Sequence, residues 1–265
     1  MAALAQAFAR TDRPAFVPFL VAGYPTPEAT VELALALEEA GADVLELGVP
    51  YSDPLADGPV IQTAAAAALA RGMTVAGVFE LLVQMRRAGL TLPVVLLAYA
   101  NTVLQKGERA FVDRLRASGG DGLIVPDLPH EEAGELRAAA AAAEVALVPL
   151  VAPTSRGRIA RIVTEATGFV YAVSSLGVTG ERDALHPDLR AFLADVRAAS
   201  PVPVAVGFGL HRREQVRAVA PFVDGVIVGS ALVRLVMERE DDLASPARRG
   251  EALAAVRRFV ANLLN

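Results

Sequence analysis

The chain contains no cysteine, a single lysine (Lys106), three histidines and few aromatic residues, 5% of the total. Without cysteine there can be no disulfide, no thiol nucleophile and no Cys-ligated metal, which fits a reducing compartment. His130, His186 and His211 are scattered and make no metal-ligand spacing, so no metal site is expected. Basic residues are outnumbered: 25 Lys and Arg against 30 Asp and Glu give a net charge of −5, which argues against a nucleic-acid or anionic-membrane ligand. No apolar run reaches the ~18 residues of a membrane span. Met1 to Arg10 has neither a basic nor an apolar leader pattern, so a cytoplasmic location is expected.

What is present is apolar and periodic. Of the 265 residues, 54% are hydrophobic, enough for a large core. Short apolar runs recur at Ala15–Ala22, Val44–Val49, Val94–Ala100, Gly122–Val125, Val145–Val151, Phe169–Val173, Val202–Val206 and Gly225–Val228. Each ends in Gly, Pro, Asn, Asp or Ser and is followed by a helical pattern. Thr26 with Pro27 opens one helix, Thr74 another, and Thr154 or Ser155 a third; a last amphipathic helix follows Ser245-Pro246. Ala138 to Ala143 reads as helix surface. Eight strand-then-helix units with parallel crossovers describe a (β/α)8 TIM barrel of class α/β, one domain over residues 1–265. An open doubly wound sheet is the alternative, but it usually carries its glycine-rich loop after the first strand, where this chain has only Ala22-Gly23-Tyr24-Pro25. The segment Ala3 to Arg10 is expected as a short N-terminal helix plugging the barrel's bottom.

In such barrels chemistry sits at the C-terminal strand ends. Glu46, Asp57, Tyr99, Asn101, Asp127, Tyr171, Ser174, Thr179 and Ser230 all fall at or just after those ends. Glu46 is a carboxylate inside a strand apolar enough to be buried on both faces, where its pKa rises toward neutrality and it can give and take protons. Asp57, on what reads as a more hydrated loop, is expected to stay ionised and stabilise positive charge. A structural buried Glu and a turn-capping Asp are the plainer readings. Gly207-Phe208-Gly209 and Gly229-Ser230, after the last two strands, suit a phosphate held by backbone N–H groups and a helix end, with Gly180 as a further donor; strand-terminating glycines are the plainer reading there too. The loop Ser174 to His186, with Gly177 and Gly180 around Thr179, reads as a lid or as an ordinary surface loop. Phe19, Leu97 and Phe208 can line a pocket for a flat ring or belong to the core.

The run Leu45-Glu46-Leu47-Gly48-Val49-Pro50-Tyr51-Ser52-Asp53-Pro54-Leu55-Ala56-Asp57-Gly58-Pro59-Val60-Ile61-Gln62 resembles the signature of the tryptophan synthase alpha chain family. Phe19 to Pro25, Tyr99-Ala100-Asn101, Pro126 to Pro129, Tyr171 to Gly180, Gly207 to Gly209 and Gly229 to Ala231 carry the likeness through nearly the whole chain. The resemblance implies a barrel lyase of tryptophan biosynthesis that cleaves indole-3-glycerol phosphate to indole and glyceraldehyde 3-phosphate. It implies Glu46 as the acid/base and Asp57 as the carboxylate on the indole N–H, with Tyr171 supporting Glu46 and Thr179 meeting Asp57 when the lid closes. Phe19, Leu97, Tyr99 and Phe208 would form the ring pocket, and Gly180, Gly209, Gly229 and Ser230 the phosphate site. It further implies an α2β2 assembly with a beta chain, which alone carries pyridoxal phosphate, docked against Pro50, Tyr51, Asp53, Pro54, Asn101 and Pro129. Ser175, Thr63 and Ala65 depart from residues many members have. Two other functions stay open: a related phosphate-binding barrel, such as a free-standing indole-forming lyase or indole-3-glycerol phosphate synthase, and a non-catalytic barrel that activates a beta-type partner. The synthase is disfavoured because its chemistry uses a strand-end Lys, and Lys106 lies beyond the third strand.

Overall fold

The computed structural model describes residues 2–9, 12–173, 187–207 and 209–264. Nine parallel strands appear among them: β1 (Ala15–Val21), β2 (Leu45–Gly48), β3 (Val94–Leu97), β4 (Gly122–Ile124), β5 (Ala146–Val148), β6 (Leu150–Val151), β7 (Val170–Val173), β8 (Val204–Gly207) and β9 (Gly225–Val228). Their order is β5-β4-β3-β2-β1-β9-β8-β7-β6. The two ends of that order, β5 and β6, are halves of one chain run interrupted only by Pro149. Proline has no N–H for a ladder, so the run changes neighbours there. β5 pairs with β4 and β6 with β7, while the Pro149 carbonyl accepts from the Tyr171 N–H at 3.0 Å. The run expected as a single fifth strand therefore closes a barrel of eight strand–helix units, and the open-sheet alternative is excluded.

The barrel's interior is filled by short and branched side chains, among them Ala15, Val17, Val44, Val95, Ile124, Ala146, Val148, Ala205 and Ile227. Its lower mouth is plugged as expected by the N-terminal helix, which runs Ala2–Ala7. Leu4 and Phe8 are buried, and the Phe8 ring packs 5.1 Å from that of Phe169. Gly225 makes room for the plug, since a Cβ there would lie 2.6 Å from Phe8. The outer helices bury one face each. In Pro27–Glu39 the Thr26 hydroxyl accepts from the Ala29 N–H at 3.1 Å, Leu33 and Leu37 pack inward, and Gly41 at φ +100° ends the element. Such a cap is worth about 1 kcal/mol.

Some boundaries differ from expectation. β3 stops at Leu97, and Ala100 opens the helix Ala100–Lys106, so Asn101 sits in a helix's first turn and exposed Lys106 at its end. Ser155 opens no α-helix; it lies in the 3₁₀ turn Pro153–Arg158, where its hydroxyl accepts from the Ala152 N–H. Ala139 and Ala140 are buried, so the alanine run presents one face to the core. Among the described residues no single helix is long and apolar enough to cross a membrane.

The N-terminal end of the barrel is braced in a repeating way. Asp43, just before β2, accepts the N–H of Phe16 in β1 at 2.8 Å. Asp121, just before β4, accepts the Val94 N–H of β3 at 3.0 Å, and Asp224, before β9, accepts the Val204 N–H of β8 at 2.8 Å. Thr167 does the same for Leu147 with its hydroxyl. Arg13, Arg86 and Arg197 hold the three carboxylates at 2.6, 3.0 and 2.9 Å. Each aspartate brace joins a strand to the next across the helix or helices between them. Replacing Asp121→Ala leaves the Val94 N–H unpaired and should lower the unfolding free energy by about 2–3 kcal/mol in urea titrations, the range for hydrogen bonds to charged groups. A loss below about 0.5 kcal/mol would show the brace to be incidental.

Candidate active site

The opposite end of the barrel opens into a cavity of about 610 Å³. Its wall includes Phe19, Glu46, Asp57, Leu97, Tyr171, Gly209, Gly229 and Ser230, drawn from both halves of the sheet. Phe19 and Glu46 are register partners on β1 and β2. Two glycines clear space for the rings beside them: a Cβ on Gly48 would lie 2.5 Å from Phe19 Cζ, and one on Gly207 2.6 Å from the Tyr171 hydroxyl. Glycine at 48 and 207 is thus what makes room for two aromatic rings in the cavity wall.

Glu46 is 2% exposed, and its Oε2 has no hydrogen-bond partner among the described residues. Burial, with a smaller push from the Asp57 charge, raises its pKa to about 8. A carboxyl in this setting holds its proton at neutral pH yet can release it, as general acid/base work requires. The part-buried Tyr171 hydroxyl is also pushed up, by burial and then by the Glu46 and Asp57 charges, and so stays a neutral hydrogen-bonding group.

Asp57 departs from expectation. It is half-buried, not freely hydrated, and burial pushes its carboxyl above the usual value, with a hydrogen bond from Tyr99 working the other way. Tyr99 also differs. It is 1% exposed and stands behind the Asp57 loop instead of in the cavity wall. Its oxygen accepts the Ala56 N–H at 3.0 Å while its hydroxyl donates to Asp57. Gln62, which no motif or spacing marked as functional, donates to the Asp57 carbonyl at 2.8 Å and lines the cavity. Its position one turn into the helix Pro59–Ala70, five residues after Asp57, was the available signal. Leu150 also lines the cavity, on a half-strand whose inward face could not be assigned before the break at Pro149 was known.

Of the residues expected to hold a phosphate, Gly209 has φ +57°, and Gly229 and Ser230 stand at the start of the helix Ser230–Glu238. Thr179, Gly180 and Phe208, with Ser175 and the rest of the expected lid, lie outside the described residues. Of the expected partner face, Asp53, Asn101 and Pro129 are exposed and Tyr51 and Pro54 part-exposed, but Pro50 is buried and offers no surface. Thr63 is exposed, its hydroxyl donating to the Pro59 carbonyl, and Ala65 is buried in the same helix. A second cavity, of about 320 Å³, lies between the loops after β4 and β6. Its His130, Arg137 and Glu165 are engaged with one another, and no carboxylate of the first cavity reaches it.

Residues 5–261 match the family model described as tryptophan synthase alpha chain. The chain belongs to the tryptophan synthase alpha chain family. A relative from Halalkalibacterium halodurans, itself named tryptophan synthase alpha chain, is 54% identical over 250 residues, 94% of each chain. The structure is also similar to one from the Pyrococcus furiosus tryptophan synthase α2β2 complex, with a TM-score of 0.86 and 35% identity over 95% of this chain and 98% of that one. A Mycobacterium tuberculosis tryptophan synthase structure gives a TM-score of 0.85 at 39% identity, covering 98% and 96%. In this chain the long run from Leu45 to Gln62 is the stretch that supplies both carboxylates of the cavity.

The raised pKa of Glu46 has a consequence for stability. Between its ordinary value of 4.5 and about 8 the folded chain keeps the proton and the unfolded chain has lost it, so this group makes stability fall as pH rises. The slope is about 1.4 kcal/mol per pH unit, vanishing above the folded pKa. Glu46→Gln removes the term. The unfolding free energy of the variant minus that of the parent should therefore climb with pH up to about 8 and then level; a difference independent of pH would mean that Glu46 titrates normally.

Proposed function

We propose that this chain is the alpha subunit of tryptophan synthase, a cytoplasmic lyase of tryptophan biosynthesis that splits indole-3-glycerol phosphate into indole and glyceraldehyde 3-phosphate. The observation that carries this reading is the pair of carboxylates in unlike settings around one cavity: Glu46 sealed and protonated, Asp57 half-buried and held by Tyr99. The substrate's ring lies against Phe19 and Leu97, with Phe208 as a further wall. Its phosphate is held by the N–H groups of Gly209, Gly229 and Ser230, with Gly180 adding another. A helix end contributes about 0.3–1 kcal/mol toward an anion, so several donors share the task.

Protonated Glu46 gives its proton to indole C3. The ring becomes cationic, and the Asp57 carboxylate, accepting from the ring N–H, stabilises that charge. The Glu46 carboxylate so formed takes the proton of the side-chain hydroxyl nearest the ring. A carbonyl forms at that carbon as its bond to C3 breaks, and the bonding electrons return to the ring. Tyr171 keeps Glu46 oriented, and Thr179 meets Asp57 when the lid covers the site. The protonated ring is its own electron sink, so the step calls for no cofactor in this chain; pyridoxal phosphate belongs to the beta partner.

The beta chain docks on the face carrying Tyr51, Asp53, Pro54, Asn101 and Pro129, with Pro50 shaping the loop from within. Support comes from Leu55 and Leu104, the large hydrophobic residues left exposed among those described, at 90% and 56%. Leu55 follows Pro54, and Leu104 lies one turn after Asn101. The chain is read as one barrel domain over residues 1–265.

The test is release of glyceraldehyde 3-phosphate from indole-3-glycerol phosphate, with and without a beta chain. Glu46→Gln should lower kcat by about 10²–10⁴-fold, the range for general acid/base catalysis, while substrate affinity stays within about tenfold. Equal loss of both would sink the acid/base role. Parent activity indifferent to the partner would favour a free-standing lyase, and absence of cleavage with intact partner binding a non-catalytic activator.

A further inference from the structure

The Tyr51 ring stacks on the Tyr99 ring, with centroids 5.0 Å apart and planes 21° from parallel. Tyr51 is at the part-exposed edge, where its hydroxyl accepts from the exposed Asn101 amide at 3.2 Å. Asn101 in turn stands in the helix whose first N–H, that of Ala100, is held by Asp127 Oδ1 at 2.8 Å. Tyr99 itself is only 1% exposed, yet its hydroxyl holds both the Ala56 N–H and the Asp57 carboxylate. The loop Ser52–Asp57 has no regular secondary structure, so its backbone has few fixed partners of its own. Tyr99, through the Ala56 N–H, and Gln62, through the Asp57 carbonyl, tie its Asp57 end to the barrel.

We propose that Tyr99 is the positioning residue for Asp57, and that its stack on Tyr51 makes it the point through which a partner seated against Tyr51 and Asn101 acts on that carboxylate. The inference rests on the reading above of Asp57 as the carboxylate on the ring N–H. Two flat rings in contact move together more readily than past one another, because sliding or tilting the pair gives up contact area and the preferred offset geometry. A partner that shifts or clamps the Tyr51 ring thus shifts or clamps Tyr99, and the Tyr99 oxygen carries the change to Ala56 and Asp57. With the partner absent, Tyr51 is restrained on its outer side by Asn101. The seated partner changes the population of Asp57 orientations without touching Asp57.

Tyr99→Phe keeps the ring, its stack and its volume and removes only the hydroxyl. Three readouts are expected to separate. Affinity for the beta chain, by titration calorimetry, should stay within about twofold, because Tyr99 is not on the surface. At saturating beta chain, kcat should fall by about tenfold or more, the worth of a hydrogen bond to a charged group, and the partner's stimulation should shrink with it. The Asp57 carboxyl, followed by ¹³C NMR in the isolated chain, should titrate at higher pH than in the parent, because the lost hydrogen bond favours the ionised form. Tyr51→Leu, which removes the stack but not the Tyr99 hydroxyl, should reduce stimulation at saturating partner while leaving the Asp57 titration near the parent's. An unchanged Asp57 titration in Tyr99→Phe, or full stimulation in both variants, would overturn the proposal. A parent without cleavage activity would instead sink the functional reading, and the NMR titration would still decide whether Tyr99 governs Asp57.

Discussion

Glu46 is an ionisable carboxyl enclosed in an apolar barrel, and one of its oxygens has no protein partner among the described residues. Desolvating a lone carboxylate costs far more than any single contact in the site returns, so the group keeps its proton. That constraint organises its surroundings. Asp57 sits on a loop, at a half-buried position, and its charge reaches Glu46 only as a secondary push. Tyr171 is neutral for the same reason. Two acids of different character result from one apolar strand and the loop that follows it, with no metal-ligating group invoked.

The two ends of the barrel handle polar groups in opposite ways. At the N-terminal end, Asp43, Asp121 and Asp224 are each paired with an arginine and with a strand N–H, so their charges are compensated. At the C-terminal end, Glu46 is left short of partners and Asp57 depends on Tyr99. Polar groups that are fully satisfied contribute rigidity; those left under-satisfied are where protonation can change during a reaction. The repeated braces hold strand ends in register far from the cavity, which allows the cavity end to carry strained electrostatics without loosening the fold.

Much of this was legible in the chain. Strand runs ending in glycine or proline and followed by capped helices described the barrel, and the buried Glu46 was visible as a charge in an apolar run. The less legible parts share a cause: they depend on which residues meet across the barrel. The family resemblance placed Tyr99 in the ring pocket, whereas its oxygen accepts the Ala56 N–H, in the supporting part that a strand-end tyrosine more often plays. Asp57 read as hydrated because its loop is polar, yet the folded loop half-buries it. Pro50 read as partner surface and is interior. Gln62 had a place in the signature but no function until its amide was seen on the Asp57 carbonyl.

By itself the sequence determined the periodicity of the elements, their caps, and the presence of one carboxylate in a strand that had to be buried. These are local consequences of side-chain shape and hydrophobic spacing, which act within a few residues. Closure of the sheet at Pro149, the glycine gaps that admit the rings of Phe19 and Tyr171, and the stacked tyrosines behind Asp57 were decided only by the tertiary structure. Each is a meeting of residues distant in the chain, and local preference carries no information about which such pairs the packed barrel brings together.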